Sequence, residues 1–94
     1  MAEWKSPRHL QGHFRSHAHE FPGASIEDYD TSAQETLDLG IYFTYTDGTT
    51  GEERTGCYHR ETGRLTILDE TDAIISHFHC PEHYVVNLDD STYG

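Results

Sequence analysis

The hydrophobic period changes along the chain, and the changes mark out its elements. From His9 to His17 the spacing is helical: His9, His13 and His17 recur at i, i+4 and i+8 and share one face, with Leu10 and Phe14 on the adjacent stripe. Gly12 weakens this helix by about 1 kcal/mol relative to alanine, and Pro22-Gly23 breaks the chain behind it. Ser25-Ile26-Glu27-Asp28 has the spacing of an N-terminal capping box, with Asp in the reciprocal place. Behind it Ile26, Tyr29, Ala33 and Leu37 recur at helical spacing with acids opposite, and Gly40 is placed to stop the helix.

After Gly40 the period becomes two. Ile41, Phe43 and Tyr45 alternate with Tyr42, Thr44 and Thr46, which suits a half-buried strand. Asp47-Gly48 and Gly51 mark a turn into a second strand, about Arg54 to His59. Glu61-Thr62-Gly63 closes a hairpin into Arg64–Asp69, and Glu70-Thr71-Asp72 turns the chain into Ala73–His79. Pro81 ends that strand, and Tyr84-Val85-Val86 reads as a short edge segment. The expectation is an α+β domain, one or two N-terminal helices packed on a four-stranded antiparallel sheet. Its 94 residues make one domain, with the core at about 9–88.

Composition sharpens this picture. With 34% hydrophobic and 12% aromatic residues, Tyr, Phe and Trp4 must supply much of the core volume, and Tyr58 and Phe78 read first as core rings. Cys57 and Cys80 do not make a disulfide framework and are expected as reduced, semi-buried thiols. No window approaches the roughly 18 to 20 apolar residues of a membrane span. The opening MAEWKSPRHL has no apolar stretch of the secretory kind. A cytoplasmic protein, or one delivered to a target cytoplasm, is expected, with no membrane partner.

Charge cuts against the commonest nucleic-acid binders. Six basic residues face 17 acidic ones, for a net of −11 with histidine neutral, whereas phosphate neutralisation usually supplies most non-specific affinity. The acids gather at 27–38, 47–53, 69–72 and 89–90, while Lys5, Arg8, Arg15, His9, His13, His17 and His19 lie between Glu3 and Glu20 with no carboxylate among them. One neutral-to-positive face on an acidic body is the expectation.

The candidate chemistry is imidazole. Eight histidines fall mainly into two groups, His9, His13, His17 and His19 near the start and His77, His79 and His83 near the end, with His59 between. Imidazole is the side chain best suited to proton transfer near neutral pH, and a helix packed on the sheet would bring the first group over the strand carrying the second.

Several motifs, in order, carry a resemblance. His13-Phe14-Arg15-Ser16-His17-Ala18-His19-Glu20-Phe21 is a His-x-x-x-His helix followed by an acidic–aromatic pair. Ser25-Ile26-Glu27-Asp28-Tyr29 with Ala33, then Tyr58-His59-Arg60-Glu61-Thr62-Gly63-Arg64-Leu65, then Ile74-Ile75-Ser76-His77-Phe78-His79-Cys80-Pro81 follow. This series, over about residues 9 to 81, resembles small bacterial toxin ribonucleases of the barnase, EndoU, colicin D and RelE-like group. The resemblance implies metal-independent RNA cleavage without a cofactor. His17 would match the catalytic histidine, as general base or general acid, and Ser76 the family's threonine on the scissile phosphate, with His13 assisting. The group usually has a cation before Tyr58, where this chain has Cys57; Arg60 would replace it as a catalytic cation, or else Arg54, Arg64, His59 or His77. Arg54, Tyr58, His59, His77 and Phe78 would contact substrate. The partners implied are RNA, tRNA among the candidates, and a cognate immunity or antitoxin protein.

Two other readings stand beside it. His77, His79, Cys80 and His83 lie within seven residues and are all acceptable zinc ligands, although the spacing matches no standard knuckle. The net charge also suits a non-catalytic, acidic interaction or inhibitor module.

Overall fold

A computed structural model describes residues 2–94. Helix α1 spans Pro7–His17 and runs through a 3₁₀ turn at Ala18–Glu20; helix α2 spans Ile26–Leu39. Strands β1 (Ile41–Thr46), β2 (Glu53–His59), β3 (Arg64–Leu68) and β4 (Ile74–His79) follow, and a short helix α3 covers Glu82–Val86. The strands pair antiparallel in sequence order, β1-β2-β3-β4, so the expected α+β meander is what forms.

Local chemistry sets the helix ends. Ser25 Oγ accepts the Asp28 N–H and the Asp28 carboxylate accepts the Ser25 N–H, a complete capping box. At the other end Gly40 is required for close approach: a Cβ there would lie 2.8 Å from both Cys57 Sγ and the Thr36 carbonyl oxygen. Helix α1 begins two residues earlier than its histidine period suggests, because Ser6 caps it and Pro7 occupies its first turn.

Strand alternation sorts the side chains onto two faces. Cys57, Leu68 and Ile74 meet Ala33 and Leu37 of α2 on one face. On the other, Phe43, Tyr45, Tyr58, Leu65 and Ile67 pack with Val85 of α3, and Leu88 and Tyr93 close over them. Gly56 makes room for the Phe43 ring opposite it, since a Cβ would come within 2.4 Å of that ring. Both cysteines are free, Cys57 buried and Cys80 half-buried, and burial pushes each thiol up to about 11.

Tyr84-Val85-Val86 is helical, which corrects the edge-strand expectation. Both sheet edges already carry a chain segment over part of their length. On β4, the Ile74 N–H donates to the Glu3 carbonyl and the Lys5 N–H to the Ile74 carbonyl, both at 2.8 Å. On β1, Thr46 donates to the Asp89 carbonyl and Thr92 to the Thr44 carbonyl. One helical turn after Pro81 instead inserts Val85 into the core and leaves Tyr84 and Val86 outside. Among the described residues no helix is long and apolar enough to cross a membrane.

Candidate active site

Helix α1 flanks β4, the last strand of the sheet, and docks through Phe14 against Tyr29 with ring centroids 5.5 Å apart. It contributes no fully buried residue. Its histidine face therefore lies along a seam with β4. His13 and His17, one turn apart, stack nearly parallel, with centroids 5.9 Å apart and planes 7° apart. Across the seam Ser76 Oγ is 3.3 Å from His13 Nδ1, joining residues 63 positions apart in the chain. Phe78, two residues along β4, stacks under His17 at 5.4 Å.

Glu20 completes the cluster. Its Oε2 lies 2.8 Å from His17 Nδ1, while its Oε1 accepts the backbone N–H of His79 at 2.7 Å. The 3₁₀ turn after α1 thus returns a carboxylate to an edge-strand donor that lacks a neighbouring strand. Burial pushes the Glu20 carboxyl up, but the His79 N–H and the His17 ring outweigh it and hold the group below the ordinary carboxylate value. Burial, followed by the nearby His17 and His9, pushes His13 below the ordinary imidazole value.

His77 has a different environment. It is fully buried beneath α2, with Nε2 2.9 Å from Ser32 Oγ and Nδ1 2.9 Å from Thr66 Oγ1 and 3.1 Å from the Leu65 carbonyl. Its backbone carbonyl accepts the Tyr29 hydroxyl. Burial holds this ring down to about 3, so it is neutral across the physiological range. Both ring nitrogens are occupied, and no solvent reaches them.

The remaining sequence candidates are dispersed. Arg60 is exposed and pairs with Glu82 of α3 at 3.4 Å. Arg54 sits among Asp47, Glu52 and Glu70 at 3.3–3.8 Å. Tyr58 is a core ring whose hydroxyl donates to the Cys80 carbonyl, and His59 Nδ1 lies 2.8 Å from Thr62 Oγ1 in the β2–β3 hairpin. Cys57 points at α2, its Sγ donating to the Thr36 carbonyl at 3.2 Å. For the zinc set, His77 is sealed in, His79 stacks on Phe21 at 4.5 Å, and His83 is exposed on α3. Among the described residues no group of three or more His, Cys, Asp or Glu is placed to hold a metal ion.

So the fold brings together His13, His17, Ser76 and Phe78 of the expected set and leaves Arg54, Arg60, Tyr58, His59 and His77 elsewhere. Sequence reasoning missed Glu20 as a site residue, although its position three residues after His17 is a helical neighbour spacing. On the α2 side of Glu20 lies a cleft of about 400 Å³ lined by Phe21, Arg64, His79, Thr31 and Glu35 among others. Arg64 lies 5.8 Å from the Phe21 ring centre, a cation–π contact. No protein-family model and no curated protein matches this chain.

Proposed function

We propose that the α1–β4 seam is an acid–base site for metal-independent cleavage of RNA, the activity implied by the toxin-ribonuclease resemblance. The observation that carries this reading is the convergence of His13, His17 and Ser76 from distant parts of the chain onto one accessible seam, with Glu20 behind His17.

The two imidazoles have environments suited to opposite roles. His13, pushed toward its neutral form by burial and two neighbouring imidazoles, is the base. With Nδ1–H donated to Ser76 Oγ, its Nε2 lone pair takes the proton of the ribose 2′-hydroxyl. The 2′-oxygen then bonds to phosphorus and the bond to the 5′-oxygen breaks. His17, its Nδ1 held against the Glu20 carboxylate, is the acid that gives an Nε2 proton to the departing 5′-oxygen. The Ser76 hydroxyl accepts from His13 and donates its own proton to a non-bridging phosphate oxygen. Proton exchange with water resets both rings, and the products are a 2′,3′-cyclic phosphate and a free 5′-hydroxyl.

Incubation of the purified protein with total RNA and with tRNA, with and without EDTA, tests this. Cleavage that leaves cyclic phosphate ends, survives EDTA and disappears in His17→Ala supports the reading; absence of cleavage at high protein concentration removes it.

The opposite end of the sheet favours a second role. Glu52, Glu53, Asp69, Glu70 and Asp72 line one surface depression, a setting for a basic protein partner and for the interaction-module reading. Salt-sensitive binding of such a partner, lost when Glu52, Glu53 and Glu70 are changed to glutamine, would establish it.

A further inference from the structure

Tyr84 has a large ring that neither the core nor the acid–base chemistry requires. Helix α3 is anchored by Val85, which is fully buried, while Tyr84 beside it is 42% exposed. It meets the ring of Phe78 edge to face at 5.9 Å and 83°. Phe78 is in turn the ring under His17. His17, Phe78 and Tyr84 therefore form a continuous aromatic step leading away from the acid–base pair.

The charge of the protein says what such a step must do. A net of −11 leaves phosphate neutralisation unable to hold a polyanion over most of the surface. A strand docked at the seam must draw much of its affinity from uncharged contacts, and stacking of a base on an aromatic ring is the strongest of these. Tyrosine suits the place: its face is apolar, and its hydroxyl can remain wet.

We propose that Tyr84, with Phe78, forms a shelf that seats one unpaired nucleobase of a single-stranded RNA beside the His13–His17 pair. This inference rests on the nuclease reading of the same seam. It names the substrate class, because bases in a duplex are already stacked and present no free face to a ring.

The test uses a short fluorescent oligonucleotide lacking 2′-hydroxyl groups, which can bind but cannot undergo the cleavage. The expected result is tight binding to the single strand and at least tenfold weaker binding to its duplex. Tyr84→Ala should weaken the single-strand complex about tenfold, within the range that one stacked base provides. Tyr84→Trp should restore affinity and its added indole emission should be quenched on binding, whereas Tyr84→Leu, apolar but not aromatic, should not restore it. Thermal melts of the variants should match the parent because the ring is exposed. Equal affinity in Tyr84→Ala, full rescue by leucine, or equal binding of duplex and single strand would each overturn the shelf. RNA cleavage measured on the same samples separates the two ideas. Cleavage with no role for Tyr84 leaves the nuclease reading standing without the shelf, and Tyr84-dependent binding with no cleavage does the reverse.

Discussion

His77 and the His13–His17 pair use the same side chain at opposite extremes of environment, and β4 serves both. Residue 77 points under α2, where every polar atom of the ring meets a protein partner and burial forbids its charge. Residues 76 and 78 point the other way, to a seam where imidazoles stack on each other and remain open on one side. A histidine-rich strand is therefore not a histidine-rich site. Alternation, which moves successive side chains to opposite faces, separates a structural imidazole from the proposed acid–base seam within one residue.

The comparison breaks most sharply under substitution. His17→Ala is expected to lower RNA cleavage by about 10²- to 10⁴-fold, the worth of one positioned proton-transfer group, with little change in melting temperature. The check is a rate measured beside a thermal melt. His77→Ala should show the converse. It opens a cavity and leaves the Ser32 hydroxyl without its partner, for about 3 kcal/mol of lost stability in denaturant titrations. Activity per folded molecule should persist where the variant remains folded.

Acid should sharpen it next. The folded-state value of His77 is about 3 against an ordinary 6.5, so the unfolded chain binds the extra proton between those limits. Stability should fall as pH drops below about 6.5, by up to ~1.4 kcal/mol per pH unit from this one ring. Asp69 adds to the loss at lower pH. Burial disfavours its charge, but Thr71, Lys5 and the Ala73 N–H outweigh that and hold its carboxyl far below the ordinary value, so its contribution disappears only as pH falls through and below about 4. Urea titrations across pH 3 to 8 measure both, and His77→Gln should flatten the upper part of the curve.

The smallest effect concerns the proposed base. Because His13 is pushed below 6.5, the acid limb of the pH–rate profile should lie below 6.5. His9 contributes to that depression, so His9→Gln should move the limb to slightly higher pH while the melting temperature changes little.

Much of the fold was legible because its signals are local. The Ser25–Asp28 capping box, the Gly40 stop and the period-two strands each depend on a few adjacent residues. Tyr84–Val86 differs from the edge-strand expectation because β propensity is indifferent to whether a sheet edge is free, and here residues 3–5 and 89–92 already pair with part of each edge. The site was half legible. His13 and His17 declare themselves by helical spacing, and motif order pointed to Ser76. The position of Arg54 among three carboxylates, the burial of His77 and the bridge from Glu20 to the His79 N–H depend on tertiary packing, which local spacing does not encode.

The most direct measurement is the single-turnover cleavage rate of a short single-stranded RNA in EDTA, for the parent, His13→Ala, His17→Ala and the double variant. Two histidines working as one acid–base pair predict that each single substitution removes most of the rate and that the double variant is scarcely slower than either. A folded His17→Ala protein that cleaves at the parental rate would contradict the assignment of the seam.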